Sequence, residues 1–236
     1  MVGSVAAEVT TSTAGDQLDF FFDPVCPFAW VTSRWVEQVA AQRPLDVQWR
    51  FIALRMVNAD KDYGSDFPPG YEQLHSAGLH LLRVAAAVRE AEGNVAAGTL
   101  YTALGASLWD RDPEPGSMLR SDAGTRAHAV ETLAAAGLDP SFADAVDDDR
   151  HDEVISTETE LALARAGRDV GTPILTFGPP DGPSFFGPVI SRLPSDADAV
   201  ALWDAVATLA RFDSFAELKR SLREMPALRA LANLSG

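Results

Sequence analysis

From Gln17 to Leu54 the chain reads as a strand, a helix and a second strand, and that order restricts the possible folds more than any other feature. Gln17-Leu18-Asp19-Phe20-Phe21-Phe22-Asp23 is an aromatic-rich run of strand length, ended by Pro24. Phe28, Val31, Trp35 and Val39 then recur at helical spacing, with Arg34, Glu37 and Gln38 between them. Pro27 suits the first turn of this helix, where its missing N–H would have no partner, and Arg43-Pro44 stops it. From Leu45 to Leu54, Val47, Trp49, Phe51 and Ala53 alternate with Asp46, Gln48, Arg50 and Ile52, the period of a strand. Such a unit closes as a right-handed parallel strand–helix–strand.

The middle of the chain has a different texture. After a loop over Asn58–Gly70 come helical patterns at Tyr71–Glu92, Val95–Trp109, Ser121–Ala136, Pro140–Asp147 and Glu153–Ala166, with no strand-like alternation among them. Strands return at Ile174-Leu175-Thr176-Phe177, and Gly178-Pro179-Pro180-Asp181-Gly182 is turn chemistry. Ser184–Val189 reads as the returning strand of a hairpin. Ser195 can cap a helix over Asp196–Arg211, with Asp198 in its first turn, and a short helix is expected at Phe215–Arg223. The expected architecture is therefore an α/β core at 17–56 and 152–212, interrupted by an all-helical insertion at 57–151. Residues 1–16 are expected to be a disordered tail, and 213–236 a C-terminal helix and tail.

Charge narrows the partners. Acids outnumber bases 34 to 19, a formal charge of −15, which repels phosphate backbones and anionic lipid surfaces alike, so neither nucleic acid nor membrane is expected. No apolar run approaches the ~18 residues of a membrane span, and the first sixteen residues lack a signal-peptide pattern, so a cytoplasmic protein is expected. His75, His80, His128 and His151 show no metal-ligand spacing, and the run Asp147–Glu153 lacks the turn glycine of a calcium loop; no metal is expected.

The chain holds one cysteine, Cys26, which excludes every internal disulfide and every multi-cysteine zinc site. Placed between a strand and a helix start, its thiol faces unpaired N–H groups and the positive end of the helix dipole, an arrangement that favours thiolate. It is expected to be partly accessible and to titrate below a free cysteine. Three residues on, where a C-x-x-C motif has its second thiol, stands Ala29. Any disulfide made by Cys26 must therefore join it to another molecule.

Phe22-Asp23-Pro24-Val25-Cys26-Pro27-Phe28-Ala29-Trp30 resembles the active-site segment of DsbA-like thioredoxin-fold proteins. Thr32-Ser33-Arg34-Trp35, Val170-Gly171-Thr172-Pro173 and Phe185-Phe186-Gly187-Pro188-Val189 are similar to the actinobacterial branch of that family that includes mycothiol-dependent reductases. The resemblance spans residues 17–223. It implies a thioredoxin-like fold with a helical lid, Cys26 as nucleophile, and Pro173 as a cis-proline facing it, although only about 5–6% of X-Pro bonds are cis. Ala29 departs from the dithiol members, which carry a resolving cysteine there. The resemblance further implies a thiol-binding groove of Pro27, Phe28, Trp30, Gly171, Thr172 and Pro173, Phe28 and Trp30 being either mouth or core aromatics. The leading expectation is a single-cysteine thiol–disulfide oxidoreductase with no tightly bound cofactor, using a low-molecular-weight thiol such as mycothiol as co-substrate and taking a small thiol or mixed disulfide as partner. The alternatives are a kappa-type thiol S-transferase or isomerase with a bound thiol cofactor, and a non-catalytic binding protein.

Overall fold

The computed structural model describes residues 16–114, 118–220 and 224–234. Four strands form one sheet in the order β2-β1-β3-β4. β1 (Asp16–Phe22) runs parallel to β2 (Leu45–Phe51), in register from Asp16–Leu45 to Phe22–Phe51, and α1 (Pro27–Ala40) makes the crossover. β3 (Ile174–Phe177) lies antiparallel to β1, and β4 (Ser184–Phe186) antiparallel to β3. Between β2 and β3 come α2 (Leu54–Val57), α3 (Tyr71–Glu92), α4 (Asn94–Trp109), α5 (Arg126–Ala136), two 3-10 segments (Pro140–Asp147 and Asp149–His151) and α6 (Asp152–Ala166). α7 (Asp196–Ala210) packs on α1, where the Trp35 indole donates to the Ala199 carbonyl at 2.9 Å.

β1 is central and buried on both faces, which explains why its phenylalanines are consecutive rather than alternating. Phe20 and Phe22 enter the main core with Trp49 and Tyr101, whereas Phe21 faces a smaller cluster with Ile52, Ile174 and Leu163. The helices that follow β2 are tied to the sheet by charge and by hydrogen bonds. Glu158 of α6 accepts from the Phe51 N–H at 2.8 Å and from Arg50 and Arg89; Arg165 reaches Asp19. At the outer edge of β2 the Asn94 side chain accepts from the Trp49 N–H and donates to the Trp49 carbonyl, both at 3.0 Å.

Several boundaries differ from the sequence expectation. β2 ends at Phe51, because the next two N–H groups beyond Ile52 leave the ladder: Ala53 donates to Thr159 Oγ1 and Leu54 to the Asp23 carboxylate, starting α2. β4 ends at Phe186, where Gly187 takes φ +99° and Pro188 has no N–H to give. α5 begins at Arg126 rather than Ser121, since Thr125 caps it by accepting from the His128 N–H. Pro140–Asp147 is 3-10 rather than α-helix. Residues 215–220 form no helix, and 221–223 lie outside the described residues; the following chain instead returns to bury Ala230 and Leu231 in the core, with Arg229 paired to Asp112 at 2.6 Å. Asp16, expected in the tail, belongs to β1 and pairs with Arg43 at 2.8 Å, while the rest of that tail lies outside the described residues. Among the described residues no helix is long and apolar enough to cross a membrane.

Candidate active site

Three segments remote in sequence meet at the N-terminus of α1. Cys26 is its N-cap, with extended backbone (φ −90°, ψ 111°), and Pro27 is the first helical residue. The sulfur accepts from the Ala29 N–H at 3.4 Å, and the thiol donates to the Thr172 carbonyl at 3.4 Å. Thr172–Pro173 is cis, and the Thr172 hydroxyl ties this segment to β1 by donating to the Phe21 carbonyl at 3.1 Å. The third segment is held from both sides: Gly187 N–H donates to the Pro173 carbonyl at 2.9 Å, and Thr32 Oγ1 to the Pro188 carbonyl at 2.9 Å.

Phe28, Pro27 and Gly171 are half-buried around the thiol, and Pro173 is buried. Trp30 is not at the mouth. It is 2% exposed, its ring lies edge-on to Tyr101 and under the Arg34 guanidinium, and its indole donates to Asp110 at 3.3 Å. A Cβ on Gly105 of α4 would sit 2.1 Å from that ring, so the helix approaches Trp30 as closely as a glycine allows. Trp109 of the same helix donates to the Pro24 carbonyl at 3.0 Å, fixing the turn that presents Cys26.

The expectation of an accessible, acidic thiol is overturned. Cys26 is only 7% exposed, and burial pushes the thiol up to about 12; the N–H groups of Ala29 and Phe28 pull the other way, and the charge of Asp23 adds to the rise. The helix end is present, but desolvation of the thiolate outweighs it.

Asp23 is the residue that sequence reasoning missed. Read there as the last residue of a strand, it is fully buried, with Oδ1 accepting from the Val25 N–H at 3.0 Å and Oδ2 from the Leu54 N–H at 2.8 Å. Burial raises its carboxyl to about 7 despite those two donors. The signal in the sequence was an acid directly after three phenylalanines, where only a satisfied carboxyl survives. Elsewhere, burial lowers His75 and His128 to about 4. Among the described residues no group of three or more His, Cys, Asp or Glu side chains comes together to hold a metal ion.

A family model described as "Rv2466c-like: Mycothiol-dependent nitroreductase Rv2466c" matches residues 25–220, which takes in Cys26, the cis-proline segment and the Phe185–Val189 block. The chain belongs to that family. It is 32% identical over 205 residues to "Uncharacterized protein Rv2286c" of Mycobacterium tuberculosis, covering 86% of this chain and 81% of the relative. Among solved structures, the "probable DsbA oxidoreductase SCO1869" of Streptomyces coelicolor superposes with a TM-score of 0.52 at 16% identity, over 89% of this chain and 94% of that one. The cytosolic disulfide reductase DsbM of Pseudomonas aeruginosa gives 0.50 at 17% identity, over 82% and 99%. A 2-hydroxychromene-2-carboxylate isomerase gives 0.52 at 16%, over 83% and 96%. At these identities the likeness is one of fold: a DsbA-like thioredoxin fold with a helical insertion.

Proposed function

We propose that the protein is a cytoplasmic thiol–disulfide oxidoreductase that works through Cys26 alone, with a low-molecular-weight thiol such as mycothiol as co-substrate. One observation carries the reading: the only sulfur of the cysteine type in the chain caps α1 and lies 3.4 Å from the carbonyl preceding the cis-proline. Membership of a family named for mycothiol dependence supports the choice of thiol. The core is taken as 17–56 and 152–212, the insertion over it as 57–151.

In this scheme the Cys26 thiolate attacks one sulfur of a disulfide R–S–S–R, forming Cys26–S–S–R; the other RS leaves with the electron pair and takes up a proton. In this scheme the Thr172 backbone, its carbonyl freed of the thiol proton, pairs with the peptide-like part of R beside Gly171 and Pro173, and Phe28 covers its apolar part. A second thiolate then attacks the R sulfur, and Cys26 leaves as thiolate. With Ala29 in place of a second cysteine, release depends on that outside thiol. A buried, high-pKa thiol is a slow leaving group, so the adduct is long-lived.

Intact-mass measurement after incubation with an oxidised small thiol tests this. The expected result is one adduct per chain, absent in Cys26→Ser. Exchange activity retained in Cys26→Ser would assign the nucleophile to a bound thiol cofactor instead, as in kappa-type transferases, and a chain that forms no adduct and exchanges no thiol would be a binding protein.

A further inference from the structure

Away from the thiol, β2, α4 and α5 enclose an open groove of about 810 Å³, a volume in the range of small-molecule sites. Its floor is Val47 and Trp49 of β2. Glu37 closes the α1 end, three turns along that helix from Cys26 and so roughly 16 Å away. The depth comes from small side chains, Gly98, Ala103 and Ala106 on α4 and Ala135 and Ala136 on α5.

The polar side chains that line the groove have one sense. Each hydroxyl hydrogen is turned back to its own helix: Thr99 donates to the Val95 carbonyl at 3.0 Å, Thr102 to Gly98 at 3.1 Å, Ser107 to Leu104 at 2.9 Å and Thr132 to His128 at 3.0 Å. Thr102 also accepts from Arg34. Ser107 accepts from His128 Nε2, which carries the proton because Nδ1 accepts the Gly124 N–H. What the groove offers a ligand is therefore acceptors: the Thr99 and Thr132 oxygens and the carboxylates. Both oxygens of Glu131 are taken by Arg120, at 2.7 and 3.1 Å. The Glu37 carboxylate has no cation and no hydrogen-bond donor among the described residues.

One side-chain donor is left over, the Trp49 indole N–H. Trp30, Trp35 and Trp109 give theirs to Asp110, Ala199 and Pro24, whereas nothing among the described residues accepts from Trp49. The backbone of Trp49 is already satisfied by Asn94. Its side chain is nearly buried, at 5% exposure, and Gly98 is what leaves the N–H uncovered, since a Cβ there would stand 2.2 Å from Nε1. A donor taken out of water without an acceptor is a cost that a bound oxygen removes.

We propose that this groove is a second binding site, for a small organic cation that sets an ammonium or guanidinium group against Glu37, an apolar body along the alanine walls and an acceptor oxygen on the Trp49 N–H. The net charge of −15 gathers cations around the chain and keeps anions away, which favours the same class of ligand. The site shares no residue with the thiol groove, so the proposal stands apart from the chemistry of Cys26.

The test is titration of the full chain with phenylalaninamide, which carries an ammonium, a phenyl ring and a carbonyl oxygen, at about pH 6, below the α-amino range. The readout is the indole N–H signals of the five tryptophans in a nitrogen–proton correlation spectrum. Trp49→Phe identifies the Trp49 signal; if that variant does not fold, the through-space contacts of Trp49 with Phe20 and Tyr101, whose ring centroids lie 5.3 and 5.5 Å away, identify it instead. The Trp49 signal should move and saturate. Hydrocinnamamide, the same molecule without the ammonium, should bind at least about tenfold more weakly, and Glu37→Gln should cost phenylalaninamide a similar factor. Ala106→Leu, at an exposed position of α4, should fill the groove and abolish the shift. A Trp49 signal that stays still at about millimolar ligand overturns the proposal, as does equal binding of the neutral amide, unchanged binding in Glu37→Gln or a shift that survives Ala106→Leu.

Discussion

α1 and α7 open with the same local device and end with opposite electrostatics. In each, an N-cap side chain accepts from the N–H three residues on: Cys26 Sγ from Ala29 at 3.4 Å, Ser195 Oγ from Asp198 at 3.2 Å. The first turn of α7 supplies its own anions, Asp196 and Asp198, in open solvent. The first turn of α1 has none, which leaves the cap sulfur as the natural site of negative charge. Yet the helix-end field is worth about 0.3–1 kcal/mol, less than about one pH unit on a thiol. Taking an anion out of water costs about several kcal/mol. Burial therefore decides the state of Cys26, and the helix end only moderates it.

Restoring a second sulfur to the α1 turn should have the largest effect. Residues three apart in a helix have Cα atoms about 5–6 Å apart, within the ~4.4–6.8 Å that a disulfide spans. Ala29→Cys is expected to oxidise to an internal disulfide and to turn the stable small-thiol adduct into a transient one, read by a 2 Da loss (about two hydrogens) in intact mass. Two free thiols surviving mild oxidation would show that positions 26 and 29 do not share a turn.

Moving the thiol to the exposed helix tests the comparison directly. A cysteine placed by Ser195→Cys should titrate near about 8.5 and react with iodoacetamide on the order of 50-fold faster than Cys26 at pH 7.5, the gain in thiolate being partly offset by its lower nucleophilicity. Peptide mapping after timed alkylation separates the two sites. Equal rates would mean that burial is not what restrains Cys26.

A smaller effect is expected from Gly78→Ala, whose methyl would meet Asp23 Oδ1 at 2.4 Å and Val25 Cγ2 at 2.8 Å. Overpacking of this kind costs about 1–3 kcal/mol, or roughly 3–10 °C of melting temperature in a chain of this size. An unchanged melting curve would show that α3 can withdraw from the Cys26 turn without loss. The smallest belongs to Ser195→Ala: about 1 kcal/mol from the lost cap, about 2–4 °C, and no change in Cys26 alkylation. A matching fall in alkylation would couple two helix ends that the structure keeps apart.

Much of the sheet is legible in sequence because its signals are local and dense. The Phe20-Phe21-Phe22 run, the Val47/Trp49/Phe51 alternation and the turn at Gly178–Gly182 each name an element without help from the rest of the chain. α3 likewise runs from Tyr71 to Glu92 as its periodicity requires. The failures share one cause. Where β2 stops, how deeply Cys26 lies and what Asp23 does all depend on partners far away in the chain: Thr159, Thr172, Leu54 and Gly78. A pattern read along one segment places the thiol on a helix end; it does not show the helices that close over it. The segment at 215–220 failed for the opposite reason, its helical spacing being overruled where the chain turns back to bury Ala230 and Leu231.

The Asn94 amide bears on how copies of this protein meet one another. β2 is an outer strand, and outer strands offer rows of free N–H and C=O groups to any neighbouring chain, the usual start of edge-to-edge aggregation. Here one side chain imitates one residue of an adjoining strand, filling both the donor and the acceptor of Trp49 at 3.0 Å. A foreign strand approaching along β2 would find the Trp49 rung already taken.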